Sequence, residues 1–203
     1  MARAPARIVL ATGNAGKVRE LAAMMQDFAV EVVPQSRFAV PEAAESGLTF
    51  IENAILKARN AGRHTGLPAI ADDSGLMVDA LGGKPGVHSA YYAGVGAGDA
   101  ANNDKLLAEM AAVADGERTA RFVCVLVFLS QASDPLPMIA EGVWEGTIRR
   151  APAGGNGFGY DPLFQVPGRD CASAELPPAD KNRLSHRGRA LRALLQRLRE
   201  SWA

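Results

Sequence analysis

A few short stretches of this chain carry residues that can do chemistry on a charged ligand. The stretch 71-ADDSG-75 sets two adjacent carboxylates, Asp72 and Asp73, after a short apolar run. Carboxylates there suit Mg2+, an ion that takes oxygen ligands and keeps several waters. One of them can also accept a proton from an attacking water. In an extended chain, neighbouring side chains point to opposite faces, so only one of the pair faces a site unless a turn has begun. A ligand-free Asp-rich turn is the competing reading. Ser74 does not fit a hydrolase nucleophile, because G-x-S-x-G is absent. Glu45, in the acidic loop 41-PEAAESG-47, can supply a second metal carboxylate, and Lys57 can reach a phosphate. Plain surface charge is the alternative for both.

The second stretch is 11-ATGNAGKVREL-21. It resembles a phosphate loop but is not a Walker A motif: Ala11 stands where the first glycine belongs, and Val18 where Ser or Thr would hold Mg2+. A strand end, glycines and the free amides of a helix N-terminus still suit an anion, and Lys17 adds a charge. A glycine turn with a solvated lysine explains the same residues. In 155-GNGFGYDP-162, glycines flank Phe158 and Tyr160, which makes either a stacking platform for a base or an aromatic turn packed on the core. In 181-KNRLSHRG-188, Lys181, His186 and Arg187 gather before a helix and can donate to a ligand carbonyl. His64 and His88 lack such company and read as structural or solvated.

The elements that position these residues follow from periodicity. Residues 7–12 read as a strand and 16–28 as a helix with Val18, Leu21, Met25 and Phe28 on one face. A second strand covers 30–34. Thr49 and Glu52 form a capping box that opens a helix to about Ala61. Strand 68–71 then runs into the DDSG turn, and a Gly/Pro-rich loop covers 82–94. Residues 99–113 read as a helix with Asp99 as N-cap. Strands 119–130 and 138–148 form a hairpin, and 163–166 is a short strand followed by a polar loop. A last helix from about Ser185 carries Leu191, Leu194, Leu195 and Leu198 as its apolar stripe, with its arginines mostly on the other face, which reads as solvated ahead of a nucleic-acid surface. Mixed strands and helices give an α/β fold with a mixed sheet.

Composition narrows the class. The 203 residues are 48% hydrophobic and 22% charged, with Lys+Arg balancing Asp+Glu at 22 each. That balance gives no bias toward nucleic acid or a membrane surface. The two cysteines, Cys124 and Cys171, form no CxxC, which argues against structural zinc and suits a reducing cytoplasm. The longest apolar run, 122-FVCVLVFL-129, is far below the roughly 20 residues of a spanning helix, and the run after Arg7 is too short for a signal peptide.

Taken in order, TGNAGK, ESGLTFIENAILKA, ADDSGL, GGKPGVHSA, GFGYDP and SHRG resemble the inosine/xanthosine triphosphate pyrophosphatases from about Ile8 to Leu195. The resemblance implies a single pyrophosphatase domain over 1–203, built as a two-lobed α/β protein with a long mixed twisted sheet, flanking helices and a central cleft. It implies a cytoplasmic homodimer that uses Mg2+ to cut deaminated purine triphosphates (ITP, dITP, XTP) into monophosphate and pyrophosphate, with no nucleic-acid or membrane partner. A pyrophosphatase for other modified or pyrimidine triphosphates is the alternative. By the same resemblance Thr12, Gly13, Asn14, Ala15, Gly16 and Lys17 bind the triphosphate. Asp73 is proton acceptor and metal ligand, Glu45 a metal ligand, and Asp72 a helper at the metal. Ser74 contacts the nucleotide; Phe158, Gly159, Tyr160 and Asp161 bind the base; Lys181, His186 and Arg187 complete the contacts. The family usually has SARYAG where this chain has 89-SAYYAG-94, so Tyr91 replaces an arginine.

Overall fold

In a computed structural model of the chain, residues 4–26 and 30–202 are described. The elements run β1 (Arg7–Ala11), α1 (Ala15–Met24), β2 (Glu31–Pro34), α2 (Phe50–Thr65), β3 (Ala69–Val78), α3 (Gly98–Glu109), β4 (Thr119–Leu129), β5 (Met138–Ile148), β6 (Phe164–Gln165), α4 (Pro178–Leu184) and α5 (His186–Trp202). The strands form one mixed six-stranded sheet in the order β2-β1-β3-β4-β5-β6. β1 is parallel to both β2 and β3, while β5 and β6 are antiparallel. With helices beside the sheet, this is the α/β architecture expected. Among the described residues no helix is long and apolar enough to cross a membrane.

The chain divides into two units. One comprises Met1–Asp73, Cys124–Gly142 and Arg187–Ala203; the other comprises Ser74–Val123 and Val143–His186. Each has its own core. In the first, Ile8, Leu10, Leu21, Ile70 and Leu126 pack with Leu191, Leu194, Leu195 and Leu198, the stripe that periodicity assigns to α5. Arg189, Arg192, Arg197 and Arg199 are exposed, as a solvated face requires. In the second, Phe122, Trp144 and Phe164 cluster, with Phe164 lying 4.6 Å from Phe122 and 5.0 Å from Trp144 between ring centroids.

Several boundaries differ from the sequence expectation. β3 does not stop at Ala71; it continues through Asp72, Asp73 and Ser74 to Val78. Tertiary partners for the two carboxylates override the turn preference of the DDSG residues. α1 ends at Met24, and Phe28, expected on its apolar face, lies outside the described residues. α3 starts at Gly98 and ends at Glu109; its N-cap is Ala97, without a side-chain cap, so Asp99 is inside the first turn. The polar loop before α5 contains α4, started by Pro178 at a first-turn position, where its missing N–H has no intrahelical partner to lose.

The capping box on α2 forms as expected. Thr49 Oγ1 accepts from Glu52 N–H at 3.2 Å and Glu52 Oε2 accepts from Thr49 N–H at 2.9 Å. The exchange lowers the Glu52 carboxyl below its ordinary value, chiefly through its hydrogen bonds with Thr49. It also folds the preceding loop onto the helix: Gly47 N–H donates to Asn53 Oδ1 at 2.8 Å. A Cβ on Gly47 would sit 2.5 Å from Glu52 Cβ, so only glycine permits this approach. Glu45 is thereby held near α2, one face of which carries Lys57.

Candidate active site

Because β3 stays extended through Asp72 and Asp73, strand alternation sends the two carboxylates to opposite faces, and they meet different partners. Asp72 is 1% exposed. Its Oδ1 lies 2.6 Å from Lys17 Nζ and its Oδ2 lies 2.7 Å from Arg187 Nε and 3.3 Å from Cys124 Sγ. Arg187 NH1 continues to Glu20 Oε2 at 2.5 Å. Lys17, Asp72, Arg187 and Glu20 thus form a chain of alternating sign that sums to zero. Burial pushes the Asp72 carboxyl up, but Arg187 and then Lys17 hold it well below the usual carboxylate range. The same surroundings drive the Cys124 thiol well up, chiefly through burial and the Asp72 charge, so it stays a neutral donor.

Asp73 faces a different group. Its Oδ1 lies 2.6 Å from Lys57 Nζ, and the same ammonium lies 3.2 Å from Glu45 Oε2. Asp73 Oδ2 is buried and has no hydrogen-bond partner among the described residues. Burial raises the Asp73 carboxyl above its ordinary value; Lys57 and Lys17 offset that only in part, and Glu45 adds to it. Lys57 remains protonated, because Asp73 and Glu45 outweigh the effect of its burial. One strand therefore presents a carboxylate held firmly as an anion and, one residue later, a carboxylate whose proton affinity burial raises.

A cation already lies between Glu45 and Asp73, in the form of the Lys57 ammonium. An unmet carboxylate oxygen beside it is a hard donor, so this pair fits Mg2+ by donor chemistry. Among the described residues no group of three or more His, Cys, Asp or Glu is arranged to hold a metal ion. Two carboxylates leave a coordination shell to be filled by water and phosphate oxygens, the usual arrangement for Mg2+ at a phosphate site. Asp72, on the opposite face, has both oxygens engaged by cations.

The loop before α1 is organised for its helix. Thr12 is nearly buried, and its Oγ1 accepts from Asn14 N–H at 3.2 Å. Asn14 Oδ1 caps Lys17 N–H at 3.0 Å. Gly13 precedes the cap, and Ala15 and Gly16 open the helix. Lys17 donates to Asp72, and an ammonium carries three donors in all. Ser74, next along β3, is half-buried.

In the second unit Asp161 organises the aromatic stretch. Its Oδ2 accepts from Lys181 Nζ at 2.5 Å and from Phe158 N–H at 2.9 Å, while Oδ1 accepts from Ser173 Oγ at 2.9 Å. Lys181 Nζ lies 5.0 Å from the centre of the Phe158 ring. Tyr160 takes the packed alternative: it is 4% exposed, belongs to the core, and its hydroxyl donates to the Ser89 carbonyl at 2.9 Å. His186 is buried and stacks on Phe122, with ring centroids 4.7 Å apart. Tyr91, the departure from the family pattern, is 39% exposed and pairs its hydroxyl with His88 Nδ1 at 3.1 Å. His64 is exposed and bonds the Asn60 carbonyl.

Sequence reasoning missed Glu20, Asp99 and Asn103. Glu20 had a legible signal, since it stands three residues after Lys17 and shares its helix face. Asp99 is not a cap; its Oδ2 accepts from Gly159 N–H at 2.7 Å, and Asn103 Nδ2 donates to the Gly159 carbonyl at 2.9 Å. No local pattern reports contacts across that separation.

The Ham1 family profile matches residues 8–197. A dITP/XTP pyrophosphatase from Thioalkalivibrio sulfidiphilus is 60% identical over 192 residues, 95% of this chain and 98% of that protein. One from Vibrio cholerae serotype O1 is 60% identical over 194 residues, 96% of this chain and 97% of its own length. The solved structure of a HAM1 protein from Coxiella burnetii is 48% identical with a TM-score of 0.89, covering 97% of this chain and 100% of the other. The crystal structure of a nucleoside-triphosphatase / dITP/XTP pyrophosphatase from Mycobacterium abscessus is 44% identical with a TM-score of 0.75, covering 93% and 98%.

Proposed function

Since the chain belongs to the Ham1 family, we propose that it is a nucleoside triphosphate pyrophosphatase that hydrolyses deaminated purine nucleotides, dITP, ITP and XTP, to the monophosphate and pyrophosphate. The observation that carries this reading is the buried, partnerless Oδ2 of Asp73 beside the Lys57 and Glu45 pair. A carboxylate with a raised proton affinity and an unmet oxygen is suited to take a proton from water.

In this reading Asp73 orients the attacking water and receives its proton as the water oxygen bonds to the α-phosphorus and the α–β anhydride breaks. Lys17, aimed by Asp72, and the first amides of α1 stabilise the pyrophosphate as its charge grows, the stage at which fixed donors are most effective. Lys57 contacts the phosphate chain. Glu45 and Asp73 would hold Mg2+, which would supply charge neutralisation and alignment of the phosphates. Asp72 keeps Lys17 in place. Arg187, 1% exposed and engaged with Asp72 and Glu20, serves the same end, while Phe158, fixed by Asp161 and accompanied by Lys181, recognises the base. The whole chain then acts as one pyrophosphatase domain, as a cytoplasmic homodimer, with oligomeric state read by light scattering.

The test is pyrophosphate release from dITP, ITP, XTP, GTP, ATP and dUTP with Mg2+, for wild type and Asp73→Asn. Fast release from the first three, slow release from the others and loss of at least about a hundredfold in the variant support the reading. A preference for dUTP or GTP overturns the base assignment and favours a pyrophosphatase for other nucleotides. No release from any of the six overturns the enzyme.

A further inference from the structure

The Gly159 peptide is held at both of its polar groups by one helix. Asp99 and Asn103 are four residues apart on α3, hence on one face. Asp99 Oδ2 accepts the Gly159 N–H at 2.7 Å, and Asn103 Nδ2 donates to the Gly159 carbonyl at 2.9 Å. The Asn103 amide also donates to the Asp99 carbonyl at 3.0 Å, so both of its N–H groups are used, while its Oδ1 is buried without a partner among the described residues. An unmet buried acceptor is unfavourable. This side chain is placed for its donors.

Gly159 is where such a hold is needed. Its φ is 61°, and a Cβ there would meet nothing within 4 Å. Glycine is therefore required by backbone conformation and not by space, and glycine is the residue with the most freedom to lose. Asp99 makes no cap for its own helix; its carboxylate goes to Gly159. The neighbours of Gly159 are anchored separately, Phe158 N–H by Asp161 and the Tyr160 hydroxyl by the Ser89 carbonyl. Asn102, beside Asn103, holds the Ala93 N–H and the Ala90 carbonyl at 2.7 and 3.2 Å. One turn of α3 thus holds Gly159 directly and the Ala90 to Ala93 segment as well.

We propose that Asp99 and Asn103 are positioning residues that lock the Gly159 peptide and so set the Phe158 ring for the purine, tuning affinity for the base and leaving the phosphate chemistry alone. The proposal rests on the reading of Phe158 as the base contact. Its test is the separation of KM from kcat in pyrophosphate release from dITP by wild type, Asp99→Ala, Asp99→Asn, Asn103→Ala and Gly159→Ala, with a thermal melt of each. A lost hydrogen bond and a displaced ring raise KM about tenfold in Asp99→Ala and Asn103→Ala, with kcat within about threefold. Asp99→Asn, whose amide oxygen still accepts the Gly159 N–H, restores most of the KM. Should Asp99→Ala fail to fold, Asn103→Ala breaks the other bond to the same peptide with Asp99 in place and shows the same signature. An unchanged KM in the alanine variants overturns the proposal. So does a loss shared by kcat, KM and melting temperature that Asp99→Asn does not repair. If wild type releases no pyrophosphate from dITP, the base reading itself falls; if wild type is active and KM stays flat, only the clamp falls.

Discussion

Arg187→Met removes one cation from the buried charge chain and keeps an apolar side chain of comparable length. It takes one cation from Asp72, whose side chain is fully buried, and leaves Lys17 in place at 2.6 Å. Stranding one partner of a buried ion pair typically costs 3–5 kcal/mol. With Lys17 still in place, the loss falls at the lower end, about 3 kcal/mol. For a chain of this size each kcal/mol moves Tm by roughly 2–4 °C, so Tm falls by about 6–12 °C. In wild type, Asp72 is held well below its usual range despite burial, by Arg187 and Lys17. Its contribution is complete above the unfolded carboxylate value, near pH 4, and is lost as pH falls through the folded value. In the variant the folded value rises, so the deficit is widest near neutral pH and narrows on acidification. Thermal melts of both proteins at about pH 7, 5 and 3.5 read this directly, and adding Asp72→Asn to Arg187→Met recovers part of the loss. An Arg187→Met protein that melts with wild type at neutral pH, or a deficit indifferent to pH, refutes the electrostatic account.

Two other substitutions probe the loop and the second carboxylate. Lys57→Gln removes the ammonium between Asp73 and Glu45, which lowers the rate of pyrophosphate release by about 10²–10³. It also moves the acid limb of the pH–rate profile to higher pH, because Asp73 loses the cation that offsets its burial; an unmoved limb means Lys57 does not act on Asp73. Gly47→Ala places a methyl 2.5 Å from Glu52 Cβ and 2.8 Å from Asn53 Oδ1. Overpacking of this kind costs about 1–3 kcal/mol, and it displaces Glu45, so both Tm and the Mg2+ requirement of turnover shift. A variant with wild-type melting and wild-type Mg2+ dependence means the loop does not depend on this contact.

Local signals made much of this protein legible. The Thr49/Glu52 capping box, the leucine stripe of α5 and the β4–β5 hairpin all depend on residues within a few positions of one another, and each stands where periodicity places it. The DDSG stretch misled because its residue types favour a turn. It remains strand because Lys17, Arg187 and Lys57 supply its carboxylates with partners, and those cations come from three other helices. Arg187 meets Asp72 across 115 residues of chain, a contact no spacing rule encodes. Asp99 misled for the same reason: a helix start suggests an acid cap, yet the carboxylate goes to a peptide 60 residues away. The pattern of GFGYDP left two fates open for its aromatics, and the structure distributes them, with Tyr160 in the core and Phe158 half-buried beside Lys181.

The charge chain also bears on how fast the protein comes apart. Its links join positions separated by 115 and 167 residues, and contacts of such long range close late, after most of the loop entropy has been overcome. Interactions absent from the folding transition state act on the unfolding rate and leave the folding rate nearly unchanged. Arg187 and Glu20 therefore act as a latch on the native state: weakening them shortens its lifetime while the chain refolds at nearly the wild-type rate.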